Sequence, residues 1–222
     1  MSNEELSADE LLKQVKTDSG KWNGVPTEAD ISETVAALQS HGFNVIVVND
    51  KAEALEKLKT LIPAGSEVMN GSSTTLIEIG FVDFLSSGKH GWNNLHTAIL
   101  VEKDAAKQSD LRRKADAAEY FLSSVNAISK TGELIAADAS GSRVGAFPFT
   151  AKNLVLVSGV NKIAPTMEAG LARLREFAYP LEDARAKKVY GMNSMIGKIV
   201  IMANEMFKGR TTLILVKEKL GY

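Results

Sequence analysis

The alternation of strand and helix patterns between residues 43 and 70 most constrains what this chain can fold into. Residues 43–48 have the mostly apolar character of a buried strand, and Val68 and Met69 form the apolar centre of a second strand at 67–70. Residues 51–62 have the apolar spacing of an amphipathic helix. Because parallel neighbouring strands need a crossover connection, this order predicts a parallel sheet with helices on its faces. We therefore expect a single α/β domain with a largely parallel central sheet covered by helices.

The length and the first residues suggest how the chain is divided. A chain of 222 residues with 45% hydrophobic content is sufficient for one globular domain with a sizeable core. Ser7 and Glu10 form a capping box before a helix that carries few apolar residues. We expect residues 1–20 to be an N-terminal helical appendage and residues 21–222 to form the main domain.

Composition excludes several classes of function. The formal net charge of −1 gives no basic footprint for nucleic acid. The chain has no cysteine, which excludes disulfides, thiolate nucleophiles and cysteine-ligated zinc or iron–sulfur clusters within it. The acidic first residues are unlike a secretory signal, and no apolar run is long enough to span a bilayer. We expect a cytoplasmic protein without membrane insertion.

Histidine spacing and the remaining patterns give further expectations. His41, His90 and His96 lack the spacing of metal ligands, so we predict no bound metal and no cofactor. We expect further helices and strands beyond residue 70. The helices are predicted at residues 77–85, 104–118, 166–177 and 181–188, with an interruption near Tyr179 and Pro180. The strands are predicted at 98–101, 120–128, 134–137, 153–157 and 211–216.

A polar stretch between the second strand and the following helix is the first candidate ligand loop. Its hydroxyls and backbone N–H groups can converge on a phosphate, a carboxylate or an oxyanion. The alternative is a simple turn with a helix cap that binds nothing. The stretch lacks the glycine spacing of nucleotide-binding motifs. The candidate ligand residues here are Gly71, Ser72, Ser73, Thr74 and Thr75.

A second polar region between residues 124 and 143 offers further candidates. An arginine there supplies a planar fork suited to a carboxylate or phosphate, whereas the alternative is a pair of turns with an ion pair between Asp138 and Arg143. Because ligands in α/β sheets bind at the carboxyl ends of the strands, we expect Arg143 and residues 71–75 to hold one anion from two sides. The candidate ligand residues here are Asn126, Thr131, Gly132, Ser140, Gly141 and Arg143.

Two carboxylates and one lysine are the candidates for chemistry. Glu133 is the first candidate for a nucleophile or general base, and Asp138 is the second. Lys162 follows a predicted strand and is a candidate for contacting an anionic ligand. The alternative for Glu133 and Lys162 is an ordinary solvated side chain.

These segments together resemble the LUD family, the lactate-utilisation domain. The resemblance covers nearly everything after the first helix. The segments that carry it are GSSTTLIEIG at 71–80, RR at 112–113, SVNAI at 124–128, TGEL at 131–134, ASGSR at 139–143, VSGVNKIAP at 157–165, PLEDAR at 180–185 and LILVKEKLGY at 213–222.

The resemblance implies a fold like that of the NagB/RpiA/CoA-transferase superfamily and a role in lactate or related organic-acid metabolism. The ligand would be a small anionic metabolite, such as an organic acid, a sugar phosphate or an acyl-CoA. The alternative is a non-catalytic subunit of a lactate-oxidising assembly. Some relatives carry a C-terminal cysteine cluster, but this chain has none. Any iron–sulfur cluster would therefore belong to a partner oxidoreductase subunit, and self-association remains open.

Overall fold

The computed structural model describes residues 7–222, and its strands form two sheets. Their bounds in chain order are β1 Asn44–Val48, β2 Glu67–Asn70, β3 Asn93–Asn94, β4 Tyr120–Ser123, β5 Ala127–Ser129, β6 Leu134–Asp138, β7 Asn153–Gly159, β8 Ile163–Ala164, β9 Lys198–Met202 and β10 Thr211–Val216. The central sheet has the order β1-β10-β7-β4-β2-β3, and all of its strand pairs are parallel. The expected α/β domain with a largely parallel central sheet is confirmed.

The second sheet is smaller and mixed. Its order is β8-β5-β6-β9, in which β5 and β9 are antiparallel to β6 and β8 is parallel to β5. The β5–β6 hairpin turns at Gly132, whose φ of 104° favours glycine because other residues are strained there. This hairpin lies between β4 and β7 in the sequence. The chain therefore leaves the central sheet after β4, forms the hairpin in the small sheet, and returns to the central sheet at β7.

Helices cover both faces of the central sheet. Their bounds are α1 Ala8–Gln14, α2 Ser19–Trp22, α3 Glu28–Ser40, α4 Lys51–Leu61, α5 Thr74–Glu78, α6 Phe81–Ser86, α7 Leu95–Val101, α8 Ala105–Ala115, α9 Met167–Arg173 and α10 Tyr179–Tyr190. Successive residues of β10 face opposite sides: Leu213 packs in the core beneath α3, and Ile214 packs in the core beneath α4. Burial on both faces explains why β10 is apolar at nearly every position.

Several predicted elements differ from the structure. The helix predicted at residues 77–85 is divided between α5 and α6 at Gly80, and the strand predicted at 120–128 is divided between β4 and β5, which belong to different sheets.

The strand predicted at 98–101 is wrong. Residues 98–101 belong to helix α7 and not to a strand: Ile99 is buried, whereas Leu100 and Val101 are each 69% exposed. The side chain of Asn94 accepts a hydrogen bond from His96 N–H at the start of this helix. An apolar run of four residues does not distinguish the two structures, and the local cap favours the helix.

The helix is continuous from Met167 to Tyr190, where the sequence predicted an interruption. A π-helical turn, Leu174–Ala178, joins α9 to α10, and Pro180 lies in the first turn of α10. Proline has no backbone N–H group to donate to the preceding turn of a helix, and the wider π-turn accommodates this missing hydrogen bond. Within residues 7–222, no helix has the length and apolar character needed to cross a membrane.

Candidate functional site

Four strands of the central sheet end at the same edge, and the segments that follow them carry most of the candidate residues. Residues 71–75 follow β2, and residues 124–126 follow β4. Residues 160–162 follow β7, and residues 217–222 follow β10. Because parallel strands present their carboxyl ends together, residues far apart in sequence meet here.

In the loop at residues 71–75, one side chain caps a helix and another points into the interior of the protein. Ser73 Oγ accepts a hydrogen bond from Leu76 N–H at 3.2 Å and caps helix α5. Thr75 is 1% exposed, and its hydroxyl lies 3.0 Å from Lys162 Nζ and 3.2 Å from Ser124 Oγ. Ser72 is exposed. Of the candidate hydroxyls in this loop, Thr75 lies closest to the buried charge of Lys162.

Three cationic side chains converge on the segment between β4 and β5. Arg143 donates to the carbonyl oxygen of Ser124 at 2.8 Å, and Lys162 donates to that of Val125 at 3.1 Å. Arg173 Nη1 donates to the carbonyl oxygen of Asn126. Three successive carbonyls therefore each accept from a different cation. We call Arg143, Lys162 and Arg173, with these three carbonyls, the three-cation site.

The charged groups of the three-cation site are buried. Lys162 and Arg173 are 2% and 1% exposed, and the guanidinium group of Arg143 points inward from a half-buried side chain. Burial lowers the pKa of Lys162 well below its ordinary value, and the neighbouring cations Arg173 and Arg143 lower it further. Burial also lowers the pKa of Arg173, to about 9.

Neutral oxygen atoms are the partners of these cations. No salt bridge among residues 7–222 includes Arg143, Lys162 or Arg173. Lys162 Nζ contacts two hydroxyls and one carbonyl. Arg173 Nη2 is buried without a hydrogen-bond partner in the described part of the chain. The site therefore carries positive charge that the described carboxylates do not pair, and it retains a free donor.

Asp138 organises the loop that delivers Arg143. Its carboxylate accepts from the backbone N–H groups of Gly141 and Arg143, each at 2.8 Å, and from that of Ser140 at 2.9 Å. Burial opposes ionisation of Asp138, but the backbone donors and the charge of the nearby Arg143 outweigh it and lower the pKa of Asp138. Asp138 thus contacts the backbone of Arg143, while the guanidinium group turns toward Ser124.

The structure separates the other hairpin candidates from this site. Thr131 Oγ1 donates to Glu133, and Gly132 lies against His41 of helix α3. The turn follows β5, whereas Asn126 precedes β5, so this strand separates Asn126 from the turn. Asn126 Oδ1 accepts from Ala137 N–H at 2.8 Å and stabilises the hairpin near the cations. Thr131, Gly132 and Glu133 therefore lie at the opposite end of the small sheet.

Sequence reasoning missed Arg173, although its position carried a signal. Gly170, Arg173, Leu174 and Phe177 have the i, i+3, i+4, i+7 spacing of a buried helix face, and Arg173 is the one charged member. The hydroxyl of Ser124 was also missed. A charged residue on an apolar stripe is the pattern that would have found Arg173.

The described residues also bear on metal binding. No group of three histidine, aspartate or glutamate side chains between residues 7 and 222 is arranged to hold a metal ion. The chemistry of the three-cation site favours an anion.

A comparison with models of protein families assigns the chain to a family. The family model described as the LUD domain matches residues 31–216. The chain belongs to the LUD-domain family. This confirms the resemblance drawn from the sequence segments. No curated protein matches this LUD-domain chain.

One solved structure is similar to this LUD-domain protein. It is the crystal structure of a DUF162 family protein from Deinococcus radiodurans, with 12% sequence identity and a TM-score of 0.47. The match covers 86% of this chain and 99% of that chain.

Proposed function

We propose that this LUD-domain protein binds a small anionic metabolite at the three-cation site and acts in lactate or related organic-acid metabolism in the cytoplasm. The observation that carries the proposal is the geometry of Arg143, Lys162 and Arg173 around three successive carbonyls, without a salt bridge to a described carboxylate. The ligand classes are organic acids, sugar phosphates and acyl-CoA.

The energetics of buried charge support this proposal. Moving a charged group out of water is costly unless an opposite charge compensates for it. Carbonyl and hydroxyl oxygens compensate only in part, and the carboxylates of Asp138, Glu182 and Glu78 act on Arg143 and Lys162 without forming a salt bridge to them. The three cations also repel one another. A carboxylate or phosphate would offset this repulsion and could accept from the free Arg173 Nη2.

A cleft beside the site supports access for a small molecule. It has a volume of about 340 Å³, within the usual range for ligand pockets. Lys51, Glu78, Lys219 and Gly221 are among its lining residues. Gly221 contacts both this cleft and the neighbourhood of Lys162. The lining carries two lysines and two carboxylates, Asp9 and Glu78, and the backbone of Gly221 separates the cleft from Lys162.

Ligand-dependent stabilisation tests the proposal. Purified protein would be heated with lactate, pyruvate, ribose 5-phosphate or acetyl-CoA, because a ligand that binds only the folded state stabilises it by about 2.7 kcal/mol at one hundred times its Kd. We expect at least one of these anions to raise the Tm, and Arg143→Ala to reduce the shift. The matched control is Arg113→Ala, which removes an exposed arginine on helix α8.

The alternative function predicts a different result. If no anion of the panel changes the Tm and the protein co-purifies with an oxidoreductase or iron–sulfur subunit, the protein is a non-catalytic component of such an assembly. An unchanged Tm shift in a folded Arg143→Ala variant would remove Arg143 from the ligand site.

A further inference from the structure

The segment that follows β10 lies directly over the candidate site. We call residues 218–222 the strap. Leu220 and Tyr222 are 5% and 8% exposed, so the strap is packed into the molecule along most of its length. Leu220 belongs to the core beneath helix α4, and Tyr222 belongs to the core beneath α10.

Polar side chains hold the strap in place. Leu220 N–H donates to Asn161 Oδ1 at 3.0 Å, and Gly221 N–H donates to Glu78 Oε2 at 2.6 Å. The hydroxyl of Tyr222 donates to Glu182 Oε2 at 2.7 Å. Each contact joins the strap to a different element, and all three elements surround the three-cation site.

Gly221 comes closest to the site. A Cβ atom at this position would lie 2.4 Å from Thr75 Oγ1 and 3.1 Å from Lys162 Nζ. Its φ of 58° is also one that favours glycine. The backbone of the strap therefore fills the space next to the Lys162 amine, on the side where the 340 Å³ cleft ends.

We propose that the strap is a gate: it closes the three-cation site while its contacts to Asn161, Glu78 and Glu182 are formed, and an anion binds when Gly221 moves away from Thr75 and Lys162. This inference rests on the proposed function. The ligand then occupies the space that the Gly221 backbone fills in the closed state.

Charge links ligand binding to movement of the strap. Glu78 favours the charged form of Lys162, and Glu182 favours that of Arg143. The two carboxylates that hold the strap thus also act on the buried cations. In this proposal, an incoming anion repels both carboxylates and takes over part of their electrostatic role, which weakens the contacts of Gly221 and Tyr222.

Amide hydrogen exchange of the strap measures the gate. Inorganic phosphate and pyruvate serve as probes, and their Kd values are determined by calorimetry on the same samples. We expect either probe, at saturation, to speed exchange of the Leu220 and Gly221 amides at least threefold. Slower or unchanged exchange in protein that demonstrably binds a probe would overturn the gate and leave the proposed function standing.

Two variants open the strap by different routes. Gly221→Ala places a Cβ against Thr75, and Tyr222→Phe removes the hydroxyl that bonds Glu182 and also interacts with Thr74. Both should speed exchange of the strap and tighten probe binding at least threefold. Gly88→Ala is the control, since Gly88 has a similar φ of 68° and a Cβ added there would have no other atom within 4 Å.

The outcomes separate the two proposals. Faster strap exchange without tighter binding in Tyr222→Phe would overturn the gate, even if Gly221→Ala fails to fold. Absence of binding of both probes to the wild-type protein and to Tyr222→Phe would overturn the gate for these anions, whereas the proposed function is decided by the thermal-stability panel of lactate, pyruvate, ribose 5-phosphate and acetyl-CoA.

Discussion

The side chain of Arg143 packs against the backbone of Gly71. A Cβ atom at position 71 would lie 2.4 Å from Arg143 Cγ and 2.8 Å from its Cδ. Gly71 follows β2, whereas Arg143 lies in the loop after β6 of the small sheet. This contact joins the two polar regions of the sequence, and it requires that position 71 has no side chain.

Gly71→Ala should therefore displace Arg143. The added methyl group would force the arginine away from the carbonyl oxygens of Ser124 and Ala137. We expect a loss of about 1–3 kcal/mol in unfolding free energy, the usual cost of overpacking a tight site, together with weaker anion binding. Urea denaturation measures the first effect. Gly24→Ala is the control, because nothing lies within 4 Å of a Cβ there. Equal stability of the two variants would show that the loop adapts without strain.

Arg143 and Asp138 should have separable effects. Asp138 accepts from several backbone N–H groups, so Asp138→Ala should lower stability by about 1–3 kcal/mol through unsatisfied donors. Arg143→Ala should weaken anion binding by about 1.5–3 kcal/mol, and Arg143→Lys should recover only part of it because an ammonium lacks the planar fork. Calorimetric Kd values and urea denaturation on the same proteins measure both. A strong coupling energy in the double-mutant cycle would instead indicate an ion pair.

Local patterns predicted most of the fold. The β1–α4–β2 unit follows from residues 43–70, because apolar runs and one amphipathic face leave few other arrangements. The sequence also predicted strand β10 as six consecutive apolar or β-branched residues. It did not predict β9, whose residues alternate between the core and an exposed face at the edge of the small sheet. The four apolar residues 199–202 are a β-branched-rich run of the kind that predicts a strand, so this signal was present in the sequence and was missed.

The site was less predictable than the fold. Gly71, Thr75, Arg143 and Lys162 were singled out because polar loops after strands collect at one edge of a parallel sheet. The direction of each side chain depends on tertiary contacts, so the sequence ranked Glu133 before Asp138 as a candidate base, whereas the structure places only Asp138 next to Arg143. The strap gave no local signal, since its role depends on packing against residues far away in sequence, as in the contact of Gly221 with Thr75.

Asp116 should make stability depend on pH. Burial, with a smaller effect from the Asp138 carboxylate, raises the pKa of Asp116 to about 6. The folded state then binds a proton that the unfolded state has released, so this group lowers stability as pH rises from about 4 to about 6. We expect Asp116→Asn to remove that decline and to stabilise the protein by about 1 kcal/mol at pH 7, a value reduced for solvent screening. Urea denaturation at pH 4.5 and 7 checks this. Parallel stability profiles for both proteins would contradict it.

Lys162 should show the opposite pH dependence and should report directly on ligand binding. Its pKa lies well below the ordinary value because of burial and the nearby arginines. Between the lowered pKa and the ordinary value of 10.5, the unfolded state binds more protons, so stability should rise with pH in this range. Lys162→Met should remove this rise. Lys152→Met, which removes an exposed amine, is the matched control.

Anion binding should raise the pKa of Lys162 part of the way back toward its ordinary value. A bound carboxylate or phosphate favours the ammonium form of Lys162, so binding at a pH between the lowered pKa and 10.5 should take up a proton from the solvent. Calorimetry in two buffers of different ionisation enthalpy measures that uptake, because the apparent binding enthalpy changes with the buffer only when protons are exchanged. We expect the uptake in the wild-type protein and in Lys152→Met, and its absence in Lys162→Met. Buffer-independent enthalpy in wild-type protein that binds the anion would mean that Lys162 keeps its protonation state and acts only through its fixed hydrogen bonds to Thr75, Ser124 and Val125.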